Sequence, residues 1–238
     1  MQKHSGEIRI NKYLAENGLT TRKGADELIL VGKVFVNGIN AVLGQKVGAK
    51  DKVEIRGSVA PSEARRYFAY YKPAGYVTHS PVENEKTIAD IFKMDGLFPI
   101  GRLDKNSEGL IILTNDGRVT DRLLNPKYNH EKEYLVETST AIGESFRKKL
   151  ETGVNIGEGD MTKSCEVKLI DPHLFTITLT EGKKHQIKRM TEVLGVSVTS
   201  LKRLRVMNIK LGNLKPNANR EIAGKELQNF LKILGLAS

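Results

Sequence analysis

The sequence of 238 residues has one cysteine, no tryptophan and only 6% aromatic residues. No apolar run approaches the ~20 residues that a membrane span requires. The single Cys165 cannot form an internal disulfide, which is typical of proteins in a reducing cytoplasm. The opening residues, MQKHSGEIRI, lack the apolar segment of a secretory signal. We therefore expect a cytoplasmic protein with no membrane partner.

Motifs for small ligands are also scarce. The scattered histidines and the lone cysteine show no spacing typical of metal ligands, and neither a GxGxxG nor a Walker motif occurs. The sequence therefore predicts no metal site and no nucleotide cofactor.

Positive charge is present in excess. The chain has 38 Lys and Arg against 28 Asp and Glu, which gives a formal net charge of +10. This surplus indicates a polyanionic partner, and nucleic acid is favoured because no lipidation signal is present. With 39% hydrophobic residues and no low-complexity tract, the chain is expected to fold into one or two globular domains.

Residues 8 to 57 follow one compact pattern. Apolar residues recur at helical spacing in two stretches, which predicts two helices carrying Ile10, Tyr13 and Leu14, then Ala25, Leu28 and Ile29. The segment KVFVNGINAV alternates on either side of Asn37-Gly38, the strongest short-range signal for a β-hairpin. DKVEI predicts a further strand.

Basic residues lie on or beside these two helices: a group of four, Arg9, Lys12, Arg22 and Lys23, and also Lys33. Composition alone explains them equally well as a solvated helix face. The stretch IRINKYLAENGLTTRKGADELILVGKVFVNG, however, resembles the S4 RNA-binding domain, a helix pair with a hairpin that docks on structured ribosomal RNA. The resemblance implies that the four basic residues bind RNA and that residues 1–60 form this domain.

The second domain is predicted at residues 67–238, after a polar linker at 61–66. From Tyr67 onward, strand-like runs outnumber helical ones and often follow each other directly. This order favours an α+β fold with a mixed, largely antiparallel sheet over a parallel Rossmann-type sheet. The predicted helices are Val119–Leu124, Glu144–Glu151, Lys184–Leu194 and Lys225–Leu234.

One loop of this domain is a candidate for chemistry. FPIGRLDKNSEGLIILTNDG, residues 98 to 117, places Asp104 just before a buried strand that ends in a tight turn. On the residues alone, the plainer interpretation of Asp104 is a turn cap, and that of Tyr134 is a buried strand aromatic. Between Gly182 and Arg205, seven Lys or Arg accompany one acid, Glu192, and such a strip can bind phosphates.

Four motifs change that balance: YKPAG (71–75), GRLDKNSEGLIILTNDG (101–117), HEKEYLV (130–136) and EGKKHQIKRM (181–190). In this order, they resemble the RsuA-type pseudouridine synthases, the family that includes the RluB, RluE and RluF branches and that places an S4 domain before its catalytic domain. HEKEYLV and LKRLRVMNIKLGNL (201–214) are similar to the RluF branch, whereas EGKKHQIKRM is closer to RsuA. The resemblance implies a 23S, large-subunit ribosomal RNA substrate, with 16S RNA of the small subunit as the alternative.

The resemblance also implies roles for individual residues. Asp104 would be the nucleophile that isomerises uridine to pseudouridine, Tyr134 would stack on the base and help move its carbon-5 proton, and Lys188 would balance the charge of Asp104. The uridine must leave its stack to react, and Arg102 would fill the gap or clamp a phosphate. Further RNA contacts are expected from neighbouring residues: Leu103, Lys105, Lys184, His185, Gln186, Ile187 and Arg189. The rearrangement is redox-neutral and needs no cofactor.

Two other classes of protein remain as alternatives. One is a non-catalytic S4 protein that assists ribosome assembly, in which Asp104, Tyr134 and Lys188 would have no task. The other is an S4-bearing aminoacyl-tRNA synthetase, but the His-Ile-Gly-His-like and Lys-Met-Ser-Lys-Ser-like motifs of such enzymes are missing. Nothing in the sequence demands an oligomer, and we expect a monomer.

Overall fold

The computed structural model describes residues 6–17, 19–20, 22–56, 64–79, 81–82, 84–94 and 96–236. The chain separates into two compact units, Met1–Arg66 with Thr114–Thr120 and Tyr67–Leu113 with Asp121–Ser238. The unit boundary between Arg66 and Tyr67 falls at the end of the predicted linker, whose residues 61–63 lie outside the described residues.

Two helices and several short strands make up residues 8–55 of the first unit. They are β1 (Ile8–Arg9), α1 (Ile10–Glu16), α2 (Arg22–Leu30), β2 (Val34–Val36), β3 (Ile39–Asn40), β4 (Lys46–Val47) and β5 (Val53–Ile55). Strand β1 pairs with β4, and β2 lies between β3 and β5, all antiparallel. The apolar faces of both helices are buried with Val34 of β2, so the helical spacing read from the sequence is confirmed.

The predicted hairpin is confirmed at its turn. Asn37 and Gly38 both have positive φ angles, 52° and 85°, as a two-residue type I′ turn requires. The Asn37 side chain also ties the turn to the segment before β5, because its Nδ2 donates to Asp51 Oδ1 at 2.8 Å and its Oδ1 accepts from the Lys52 N–H at 2.9 Å.

The remaining elements are β6 (Tyr67–Lys72), β7 (Phe98–Ile100), β8 (Glu108–Thr114), α3 (Arg118–Leu124), β9 (Lys132–Thr138), α4 (Glu144–Glu151), β10 (Glu166–Asp171), β11 (Leu174–Leu179), α5 (Gln186–Val193), β12 (Val198–Val206), β13 (Ile209–Lys210), β14 (Asn219–Glu221) and α6 (Gly224–Ile233). Their strands form one sheet in the order β10-β11-β9-β12-β8-β6-β14, with β13 beside β12 and β7 beside β8. Strands β12 and β8 are parallel, whereas β10-β11, β11-β9, β9-β12 and β6-β14 are antiparallel. The predicted α+β class with a mixed, largely antiparallel sheet is confirmed.

Predicted and observed helices differ mainly at α5. Helix α4 has the predicted bounds, and α3 and α6 begin one residue early, but α5 starts at Gln186 instead of Lys184. The preceding residue, His185, has φ of 51° and therefore cannot continue a right-handed helix. The prediction of a helix from Lys184 was wrong because no pattern in the sequence signals this left-handed residue.

The core of the sheet explains the apolar run in the candidate loop. Leu110, Ile111, Ile112 and Leu113 of β8 are all buried, as predicted for a strand inside the sheet. Leucine and isoleucine on both faces anchor the strand, so the loop before it has one fixed end. Within the described part of the chain, no helix is both long and apolar enough to cross a membrane.

Candidate active site

Asp104 lies on the loop between β7 and β8. Its side chain is 39% exposed, and its Oδ1 is 3.5 Å from Nε2 of His185. Its backbone carbonyl accepts the N–H of Ser107 at 3.0 Å, which closes a tight turn. Among the described residues, His185 is the one Lys, Arg or His side chain within 4.0 Å of this carboxylate. The carboxylate is thus open to a ligand while its backbone is fixed.

The buried ammonium of Lys72, at the end of β6, holds the turn. The Lys72 side chain is 0% exposed, and its Nζ donates to the carbonyls of Ser107 at 2.7 Å, Pro73 at 3.0 Å and Lys105 at 3.3 Å. The three N–H donors of an ammonium match these three acceptors. Burial lowers the pKa of Lys72 to about 8, while the nearby Asp104 charge acts in the opposite direction.

A second buried cation, Arg203 of β12, holds the same loop on both sides of Asp104. Only 5% exposed, Arg203 donates through Nε to the Leu110 carbonyl at 2.6 Å and through Nη1 to the Arg102 carbonyl at 3.5 Å. Gly109 allows this approach, since its φ is +107° and a Cβ there would lie 2.4 Å from the Arg203 carbonyl oxygen. The pair β8-β12 can therefore close only with glycine at this position.

A hydroxyl provides the third attachment. Thr78 Oγ1 donates to the Leu103 carbonyl and accepts the Leu103 N–H, both at 3.1 Å. Leu103 itself is buried against the core. All three attachments bind the loop's backbone, so the position of Asp104 does not depend on the exposed side chains beside it.

Tyr134 lies on β9, directly opposite Arg203 of β12 and Ile177 of β11. The ring is half-buried and packs against both hydrophobic clusters of the sheet. This strand aromatic is therefore beside the cation that holds the Asp104 loop, which brings two of the motifs together in space.

Two further side chains of the motif are at the start of α5. His185 is the residue before the helix, and Lys188 lies three residues further on, in the first turn. Lys188 is half-buried, and its Nζ has no hydrogen-bond or ion-pair partner among the described residues. His185 occupies the place beside Asp104 that the sequence reading had assigned to Lys188.

Other residues of that motif have internal partners. Arg189 donates to the Ile156 carbonyl at 3.1 and 2.6 Å, and its Nη1 is 3.8 Å from Asp160. Gln186 is buried and donates to Glu181 Oε1 at 2.7 Å, while Ile187 is part of the hydrophobic core. The side chains of Gln186 and Ile187 are therefore buried within this unit and fix α5 in place. Lys184 is exposed.

The remaining predicted contacts are distributed over both units. Arg102 is exposed, and Lys105 forms an ion pair with Glu85 at 3.2 Å. In the first unit, Arg9 and Arg22 are exposed and Lys12 lies 3.5 Å from Glu16, whereas the Lys23 side chain is outside the described residues.

The sequence reading missed the two buried cations. Lys72 was part of the quoted YKPAG motif but had no assigned task, and Arg203 was counted in the phosphate-binding strip. The structure shortens that strip, because Arg203 binds backbone carbonyls and Arg205 binds Glu131 at 2.9 Å and Glu133 at 2.8 Å. A lysine directly before proline, at the end of an otherwise buried strand, was the available signal for Lys72.

The family model described as RNA pseudouridylate synthase matches residues 66–193, which contain the Asp104 loop, Tyr134 and the start of α5. The chain belongs to this family, and it is an RNA pseudouridine synthase. The resemblance drawn from the four motifs is thereby confirmed.

Individual relatives extend the match to most of the chain. It is 40% identical over 95% of its length to the dual-specificity RNA pseudouridine synthase RluF of Salmonella typhi, of which it covers 79%. It is 34% identical over 93% of its length to the ribosomal large subunit pseudouridine synthase B of Bacillus subtilis, covering 95% of that protein. A crystal structure of a pseudouridylate synthase, 28% identical, matches with a TM-score of 0.70 over 95% of this chain and 99% of the other.

Proposed function

We propose that the protein isomerises a uridine of 23S ribosomal RNA to pseudouridine, with Asp104 as the nucleophile. The observation that carries the proposal is the placement of the Asp104 carboxylate, which is open to a ligand while Lys72, Arg203 and Thr78 hold its backbone. The name of the Bacillus subtilis relative, which refers to the large ribosomal subunit, supports the choice of RNA.

The reaction breaks the bond between the sugar C1′ and N1 of uracil and forms a bond between C1′ and C5. Asp104 bonds transiently to the sugar or the base, and the carboxylate is displaced when the rotated base rejoins through C5. N1 gains a proton and C5 loses one, so atoms and electrons balance without a cofactor. Tyr134 stacks on the base and assists the loss of the C5 proton. Lys188, whose Nζ has no partner in the part of the chain that the structure describes, supplies positive charge to the site.

The target uridine flips out of the RNA to reach Asp104, because an enzyme cannot reach the reacting atoms of a base that remains inside the stack. Arg102 is exposed and two residues from Asp104, and its backbone is held by Arg203. We assign Arg102 to the space that the base vacates, or to an adjacent phosphate.

The first unit is proposed to be an S4-like RNA-binding module. Its helix pair and hairpin have the order that the sequence resemblance implies, and Arg9 and Arg22 are exposed. Its role would be to add phosphate contacts that hold structured RNA near the catalytic unit.

The substrate is tested with RNA tritiated at C5 of uridine. Wild-type protein is expected to release tritium from large-subunit RNA and to form no pseudouridine in small-subunit RNA. Mapping the pseudouridine then identifies the modified position. Release from small-subunit RNA alone would replace 23S with 16S as the substrate. Binding without release from either RNA, alongside an active control synthase, would favour the assembly-factor alternative.

The S4-like role predicts a change in salt dependence. Substituting Arg9, Lys12 and Arg22 with Gln should weaken RNA binding and reduce the slope of log K against log salt by about 2 to 3, since each phosphate contact contributes roughly 0.7 to 0.9. The matched control removes three exposed lysines from α4 and α6, with Lys148, Lys149 and Lys232 changed to Gln. An equal loss of slope in both triple variants would contradict a specific RNA contact by the first unit.

A further inference from the structure

Two aromatic rings stack on the surface between α3 and β9, outside the hydrophobic clusters of the described residues. The rings of Tyr128 and His130 have centroids 5.8 Å apart and planes inclined by 18°. Lys127 Nζ lies 4.7 Å from the Tyr128 ring centroid, and Arg122 Cζ lies 5.6 Å from it. Both rings are half-buried, so each keeps part of its surface in contact with solvent.

The chain around the rings is locally fixed. Arg122 Nη1 donates to the Tyr128 hydroxyl at 3.1 Å, and Lys127 N–H donates to Asn125 at the start of a single 3₁₀ turn, Pro126–Tyr128. Asn129 follows with φ of 52° and accepts Lys163 Nζ at 2.8 Å. A preformed aromatic surface loses little conformational entropy when a planar ligand stacks on it.

Acidic and basic side chains lie on opposite sides of the segment from His130 to Tyr134. Arg205 binds both Glu131 and Glu133, which places the acids on one side of the start of β9. The alternate residues, His130, Lys132 and Tyr134, lie on the other side, because side chains alternate along an extended chain. No carboxylate partners the cations of this second side among the described residues.

The electrostatic setting agrees with that arrangement. Burial and then the guanidinium of Arg203 lower the pKa of Lys132 to about 8. Burial and then the Lys132 ammonium lower the pKa of His130. The Arg203 and Lys132 charges, which contribute to these shifts after burial, mark a place where an anion would be stabilised.

The same side of the segment leads to the reaction centre. Tyr134 follows Lys132 by two residues and His130 by four, about 7 and 13 Å along an extended chain. A nucleotide bound at the rings would therefore be near the target uridine in the same RNA.

We propose that the Tyr128–His130 stack is a second contact site for the substrate RNA, which takes an unpaired base next to the target uridine while Arg122 and Lys127 contact its phosphates. This combination of aromatic rings and cations is how proteins bind single-stranded nucleic acid. The inference rests on the proposed function only in taking the substrate to be RNA, and it adds a specificity site of which His130 alone lies within the four motifs.

The test compares Tyr128→Ala, Tyr128→Phe and His130→Ala on a large-subunit RNA fragment that contains the mapped uridine. Loss of a stacking ring should raise KM about tenfold, with kcat changed by less than a factor of about two, because stacking on one base contributes between a few-fold and about a hundredfold in affinity. Tyr128→Phe keeps the ring and should restore KM. His173→Ala is the matched control for the histidine substitution, since His173 lies in the turn between β10 and β11 and contacts Thr138 at the far end of β9.

A second arm removes the base instead of the side chain. The same fragment is made abasic at each nucleotide flanking the target in turn. At one of these positions, loss of the base should raise the KM of wild-type protein about tenfold. It should not raise the KM of Tyr128→Ala any further, as expected when the ring and the base are the two partners of one contact. A fall in kcat at unchanged KM, unchanged kinetics, or the absence of any coupled position would overturn the proposal.

The outcome is separable from that of the proposed function. If wild-type protein releases no tritium from ribosomal RNA, the proposed function fails, and direct binding of ribosomal RNA to the same variants still tests the stack. Weaker binding by Tyr128→Ala and normal binding by Tyr128→Phe would then support the second contact site. Equal binding by all variants would refute it.

Discussion

Substituting Asp104 with Asn is expected to reduce pseudouridine formation by roughly 10⁴-fold or more, because an amide cannot act as the leaving carboxylate of a covalent intermediate. RNA affinity and thermal stability should remain close to wild type. The turn around Asp104 is held through backbone atoms by Lys72, Arg203 and Thr78, and none of these contacts uses the Asp104 carboxylate. Single-turnover tritium release together with RNA binding measures both parts of the prediction.

Asp171→Asn is the matched control for that substitution. Asp171 is on β10, four strands from β8 in the sheet, and its Oδ1 accepts the His173 N–H, a bond that Asn can keep. The control variant should retain wild-type rates. If Asp104→Asn kept more than about a tenth of the wild-type rate, a different residue would have to be the nucleophile.

Substituting Lys72 with Met is expected to lower the free energy of unfolding by about 2 kcal/mol or more, since the carbonyls of Ser107 and Pro73 lose the ammonium donor and each unpaired group costs about 1 to 3 kcal/mol. The rate of tritium release should fall about 10²-fold as the Asp104 turn loosens, because small displacements of a reacting group have effects of that size. Urea unfolding and single-turnover kinetics measure the two effects. Lys215→Met, at an exposed position, should change neither.

The difference in free energy of unfolding between wild type and Lys72→Met should depend on pH, and this dependence identifies the buried ammonium. An ordinary lysine has a pKa of 10.5, and burial lowers the pKa of Lys72 in the folded protein to about 8. Between these pH values the unfolded chain binds more protons, so the stability of wild type relative to Lys72→Met should rise with pH by up to about 3 kcal/mol. A difference that stays constant from pH 7 to 10 would contradict a buried charged lysine.

Local patterns in the sequence predict most of the secondary structure. The spacing of Ile10, Tyr13 and Leu14 marks α1, Asn37-Gly38 marks a hairpin, and the apolar run after Gly109 marks a buried strand, because each signal lies within a few neighbouring residues. The fold class follows from strands that succeed each other without a helix between them.

The attachments of the active-site loop are different in kind. Lys72 contacts a carbonyl 35 residues away, and Arg203 contacts one 93 residues away. Such pairs form only when the tertiary fold brings free carbonyls to a buried cation, and a single sequence contains no local sign of the acceptor. Lysine and arginine are usually exposed, so the sequence favours the wrong location for both.

The backbone attachment of the Asp104 loop has an evolutionary consequence. Since Lys72, Arg203 and Thr78 bind main-chain atoms, which every residue type has, the exposed positions 102, 105 and 106 can change their side chains without moving the Asp104 carboxylate. Chemistry and target choice can thus diverge separately within one scaffold. A new RNA target would require new side chains at these exposed positions, while the proposed nucleophile keeps the position that the fold gives it.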